Sequence, residues 1–71
     1  MANVIATMAG TIFTVNVAEG EEVAVGQVIM VLESMKMEIP VEAETAGTVT
    51  TIHKNVGDFV NEHDVLVTLG E

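Results

Sequence analysis

The residues of this chain best suited to chemistry are six in a row, Glu33-Ser34-Met35-Lys36-Met37-Glu38. Lys36 carries a primary amine, which as the free base is a nucleophile and so a point for covalent attachment of an acyl group. An arbitrary lysine is ordinarily a solvated surface charge, but the neighbours of Lys36 weigh against that reading. Two methionines at an exposed turn are hard to account for as core, and their soft, adaptable side chains suit a surface that docks with a partner. The competing reading is that they fold back over the turn and pack. Lys54 follows Ile52-His53, lacks methionine neighbours and reads as a solvated charge. His53 and His63, taken with Asp58 or Asp64, match no familiar metal-ligand spacing, so turn and surface roles suffice for them. Ser34 has no obvious base beside it and the chain has no Gly-rich phosphate loop, so it reads as a non-catalytic protein.

Strand-like segments, Val28 to Leu32 and Ile39 to Ala43, flank these six residues at hairpin spacing. Lys36 is thus expected near a hairpin tip, exposed and yet held by strands on both sides. That hairpin joins two copies of one unit. Shifting the chain against itself by 37 residues, without a gap, superimposes Ala9-Gly10-Thr11 on Ala46-Gly47-Thr48 and Thr14 on Thr51. The same shift pairs Gly20 with Gly57, Val23 with Val60, Val28 with Val65 and Leu32 with Leu69, and Ile12/Val49, Val15/Ile52, Glu21/Asp58 and Ile29/Leu66 are near matches. A register that holds over this length is an internal repeat.

Each copy reads as β, because Val, Ile and Thr dominate and turn residues interrupt short apolar stretches. Glu19-Gly20-Glu21, Val56-Gly57-Asp58 and Val25-Gly26-Gln27 are the expected turns. The counterpart of the last is Glu62-His63-Asp64, and histidine is among the non-glycine residues that tolerate positive φ, so His63 is predicted in the left-handed region. Ile12 and Val15, like Val49 and Ile52, are apolar residues three apart, which breaks the strand period and predicts a bulge in both copies. Ile39, Val41 and Ala43 alternate cleanly with Glu38, Pro40, Glu42 and Glu44, and Pro40, having no N–H, predicts an edge strand. Neither copy can bury its apolar face alone, so the fold class is all-β: two related units packed face to face in one flattened barrel or sandwich.

The remaining bounds are compositional. Seventy-one residues make one domain, 1–71, with little surface left for a deep catalytic cleft. There is no cysteine, which excludes disulfides and thiolate sites and fits a reducing compartment; the expected location is cytoplasmic. A net charge of −9 has the wrong sign for nucleic acid or an anionic membrane, and either keeps an apolar domain soluble or steers it toward a basic partner. The N-terminus lacks the basic region of a signal peptide, and Val28 to Leu32 is far short of the ~20 residues of a membrane span.

Met35-Lys36-Met37, followed by a strand, by Ala46-Gly47-Thr48-Val49, by Gly57-Asp58 and by Val65-Leu66, resembles the biotinyl/lipoyl attachment domain over nearly the whole chain. The resemblance implies a flattened barrel of two four-stranded sheets with the modified lysine on a tight turn. It also implies that a biotin protein ligase activates biotin as its adenylate and that Nζ of Lys36 attacks it to form an amide. The chain would then serve a biotin carboxylase and a carboxyltransferase as a carrier, raising the effective concentration of biotin at each. Met35 and Met37 favour biotin, whereas Glu33-Ser34 resembles the acidic and hydroxyl pair of lipoyl domains and leaves lipoate and a lipoyl ligase open. With no gap in the repeat there is no room for a protruding thumb, so the resemblance is to thumbless carriers; an excised piece of a larger carboxylase would have the same sequence. An unmodified interaction module of the same fold is the reading of a different class.

Overall fold

A computed structural model describes residues 2–70. Among these the chain forms eight strands: β1 (Ala2–Ile5), β2 (Gly10–Val15), β3 (Glu22–Val23), β4 (Val28–Ser34), β5 (Met37–Glu42), β6 (Gly47–Ile52), β7 (Phe59–Val60) and β8 (Val65–Gly70). They make two antiparallel sheets, ordered β1-β8-β6-β3 and β5-β4-β2-β7. Moving every strand 37 residues along the chain turns the first order into the second. The sequence repeat is therefore a two-fold relation between the sheets.

Hydrogen bonds outside the ladders obey the same relation. The Ala6 N–H donates to the Asp64 carbonyl and the Ala43 N–H to the Gln27 carbonyl, both at 2.9 Å. The Gly20 N–H reaches the Val49 carbonyl as the Gly57 N–H reaches that of Ile12. Side chains follow, since Glu21 and Asp58 accept from the N–H groups of Ala18 and Asn55, and Gln27 and Asp64 from those of Ala24 and Asn61. Near-identical chemistry at equivalent positions has given near-identical turns.

The local expectations hold where they rest on backbone sterics. His63 has φ 75°, at the position equivalent to Gly26 with φ 86°. The register shifts between Ile12 and Thr14 and between Val49 and Thr51, so both predicted bulges are present. Pro40 lies on β5, an edge strand. The two units do pack together, but neither forms a sheet of its own: each sheet takes two strands from each half, because β1 and β3 pair with β8 and β6, and β5 and β7 with β4 and β2. Lys54, expected as a solvated charge, is half-buried, and it occupies the place equivalent to core residue Val17. A lysine in such a place buries part of its methylene stem and keeps its ammonium group in water, which is compatible with a solvated charge.

Between the sheets lies one aliphatic core that includes Ile12, Ile29, Met30, Leu32, Val49, Val60, Leu66, Val67 and Leu69, all essentially inaccessible to solvent. Among the described residues no polar side chain is buried. The hairpin from β4 to β5 and the paired chain ends on β1 and β8 are two-fold equivalents. From Gly10 beside that hairpin, β2 leads away along the barrel, and the chain then reaches β3, which pairs with Gly47 near Gly70. Ala2 and Gly70 are thereby kept toward the far end of a body 34 Å long and about half as wide.

Candidate attachment site

Strands β4 and β5 pair continuously from Met30↔Val41 to Ser34↔Met37, which leaves only Met35 and Lys36 to make the turn. A two-residue loop between twisted strands favours the turn with positive φ at both central residues. Met35 has φ 53° and Lys36 φ 63°, both in the left-handed region that ordinary side chains avoid. Asn-Gly is the favoured pair for such a turn, so Met-Lys here retains backbone strain of ~1 kcal/mol or more per residue. Met35→Asn is expected to relieve part of this and to raise stability by ~1 kcal/mol, seen as a rise in Tm of ~4–8 °C for a domain of this size. A thermal melt checks it.

The strained turn presents its side chains outward. Met35 is 89% exposed and Met37 59%, and Lys36 is exposed between them. The methionines do not fold back to pack, so the alternative drawn from composition fails. Met37 lies on the same face of β5 as Ile39 and Val41, beyond the end of the core. Glu33 and Glu38, both exposed, are cross-strand partners at the base of the turn, and Ser34, half-buried, is the partner of Met37. All the residues singled out from sequence thus come together on one hairpin, with Lys36 at its tip.

One supporting residue escaped notice as such. A side chain on Gly10 would place Cβ 2.8 Å from the Glu33 carbonyl oxygen, and at the equivalent site Gly47 meets the Gly70 oxygen at 2.6 Å. The glycine of each Ala-Gly-Thr lets the neighbouring strand approach closely, and at Gly10 that strand is the one leading into the turn. Because the obstructing atom is backbone held by two partner strands, Gly10→Ala is expected to destabilise by ~1–3 kcal/mol, as overpacking does. Urea unfolding measures it. The histidines stand apart from the turn: the His53 ring lies 2.8 Å from Thr68 Oγ1 on the opposite sheet, and His63 sits in its own turn beside Glu62.

Comparison with known proteins agrees with this geometry. The family model described as "Biotin-requiring enzyme" matches residues 2–69. The biotin/lipoyl attachment protein of Bacillus subtilis is 50% identical over 62 residues, 87% of this chain and 85% of that protein. The biotin carboxyl carrier protein of Streptococcus mutans is 47% identical over 64 residues, 90% of this chain but 49% of that protein. Among solved structures, Kluyveromyces lactis urea carboxylase superimposes with a TM-score of 0.91 at 26% identity, over 97% of this chain and 6% of the carboxylase. The lipoyl domain of the 2-oxoglutarate dehydrogenase complex of Azotobacter vinelandii gives 0.74 at 35% identity, over 89% of this chain and 80% of that domain. A match across almost every described residue, with a lysine on the hairpin that joins two equivalent halves, means that the chain belongs to the biotin/lipoyl attachment family.

Proposed function

We propose that this chain is a biotin carboxyl carrier, with Lys36 the residue that a biotin protein ligase acylates. The observation that carries the reading is the turn: an exposed amine between two exposed methionines, on a strained two-residue loop fixed by paired strands. Strands β4 and β5 hold Cα of Lys36 while its side chain stays free to enter another protein's active site. Nζ must lose its proton before it can form an amide, and on so open a turn the ligase has to provide the base. Once attached, biotin supplies a ureido nitrogen that accepts and releases a carboxyl group. The remaining work of this chain is to present that group to a biotin carboxylase and then to a carboxyltransferase. Among the described residues no cluster of His, Asp or Glu is placed to hold a metal, and no step of the carrier role requires one.

Biotin is favoured over lipoate by Met35 and Met37, an apolar rim on each side of the amine. The name of the Streptococcus mutans relative points the same way. A second reading, lipoylation of Lys36, is supported by Glu33 and Ser34 at the base of the turn and by the likeness to a lipoyl domain. Intact mass of the protein isolated from its host separates the two, since biotin and lipoate add different masses to Lys36. Mass equal to the bare chain would support the unmodified interaction module instead. The biotin reading further requires that a biotin carboxylase, given ATP and labelled bicarbonate, place label on the modified protein.

A further inference from the structure

The two-fold relation makes a comparison that neither sheet allows alone. Because the sheets are built from equivalent strands, their outer faces meet the same structural demands, and a difference in composition between them reports something other than folding. On the outer face of β1-β8-β6-β3 stand Glu22, Thr48, Thr50, Thr68 and Asn3. Thr50 Oγ1 donates to the Thr68 carbonyl and Thr68 Oγ1 to Asn3 Oδ1, with His53 against the same hydroxyl. That surface is polar and self-satisfied over its middle, and Ile5, 41% exposed at the end of β1 where the other sheet has Glu42, is its apolar exception.

At the equivalent positions of β5-β4-β2-β7 the residues are different. Thr50 corresponds to Phe13, Glu22 to Phe59, Thr68 to Val31 and Asn3 to Pro40. Phe13 is 45% exposed and Phe59 62%, although polar residues occupy the equivalent sites without harm to the fold. This is also the sheet that carries the Lys36 turn. Phe59, Thr11, Glu33 and Glu38 form one cross-strand row over its four strands, a span of ~14 Å at the usual strand spacing. The apolar patch therefore runs into a pair of carboxylates directly beneath Lys36.

We propose that this outer face, centred on Phe13 and Phe59 and edged by Glu33 and Glu38, is the surface by which the chain docks on the ligase that acylates Lys36. The inference rests on Lys36 being that ligase's substrate. The matching surface on the ligase is apolar at its centre and basic where it meets Glu33 and Glu38. A ligase touches the lysine with no prosthetic arm between the proteins, so its footprint must adjoin the turn, as this face does. A second copy of the chain is a poorer occupant, because two bodies that each carry net charge −9 repel one another.

The test substitutes each aromatic residue by the one found at its two-fold equivalent, Phe13→Thr and Phe59→Glu, and follows biotin incorporation with a purified biotin protein ligase. Each change is expected to lower kcat/KM about tenfold, through KM, as loss of a buried aromatic anchor does. Circular dichroism should match the parent protein. Glu33→Gln with Glu38→Gln should flatten the dependence of kcat/KM on ionic strength, while Glu22→Gln on the other sheet should leave it unchanged. If a variant fails to fold, amide shifts of the Lys36→Arg protein titrated with ligase still decide: changes on β2, β4 and β7 support the proposal, and changes confined to β1, β6 and β8 overturn it. Parent protein that labels at Lys36, with variants that label equally well, overturns the docking face alone. Parent protein that does not label overturns the carrier reading and this face with it. Sedimentation showing a dimer that Phe59→Glu disperses would give the face to a second copy.

Discussion

Lys36→Arg is expected to abolish acylation completely while leaving the fold unchanged. The side chain is exposed at the tip of the hairpin, and an exposed substitution away from caps and core changes stability by under about 0.5 kcal/mol. Arginine also keeps the positive charge and must adopt the same positive φ, so the strain of the turn stays as it was. What it lacks is a deprotonatable amine: the guanidinium stays protonated at any pH a ligase works at, and it cannot attack an acyl group. The effect is therefore all or none, with mass after ligase treatment equal to that of the bare chain and a urea transition superimposable on the parent's. Lys54→Ala should do the reverse. It removes methylenes from a half-buried site equivalent to Val17, so stability falls while labelling continues. Labelling that survived in Lys36→Arg and vanished in Lys54→Ala would move the attachment site to the other half of the chain.

The residues that made this site legible are those whose demands are local. Pro40 names an edge because it has no N–H, and His63 and Gly26 name a left-handed turn because few other residues tolerate it. Ile12 and Val15 betray a bulge because their spacing breaks the period of two. The exchange of β3 and β7 between sheets was not legible in the same way. Two-residue strands carry no periodicity, and their partners lie in the other half of the chain, so only tertiary packing decides the pairing. The positive φ of Met35 and Lys36 was hidden for the opposite reason, since their own preferences argue against it and the twist of β4 and β5 overrides them. Half-burial of Lys54 was not legible either, because burial is decided atom by atom along a lysine and its type reports only the charged end.

Symmetry explains why so little of the chain is committed to function. Among the described residues fourteen backbone hydrogen bonds outside the ladders fall into equivalent pairs, and the core is shared evenly by the two sheets. Asymmetry lies in two places, the turn between β4 and β5 and the outer face of the sheet that carries that turn. Strain is tolerable there because the strands on either side are paired along their length, and a turn that costs stability persists only when its surroundings over-determine it.

Met35→Asp together with Met37→Ala is expected to shift acceptance from biotin toward lipoate by about 10–200-fold, the range that loss of hydrophobic contact in a specificity pocket produces. Neither methionine contributes much to the core, at 89% and 59% exposed, so the change should act on the ligase and not on folding. Aspartate also suits position 35 because it is among the residues that tolerate positive φ, and it sets a carboxylate beside the amine in place of an apolar contact. Glu33 and Ser34 stay as they are, so any feature at the base of the turn that admits lipoate is retained. The measurement presents parent and double variant to a biotin ligase and a lipoyl ligase in parallel and compares initial rates by intact mass. Discrimination is a ratio of the two rates, so a general loss of acceptance by both ligases would not count as a shift. An unchanged ratio would show that the methionines do not discriminate, and would leave the choice to the strands around them. A reversed ratio would place the choice between two cofactors in two exposed side chains on either side of Lys36.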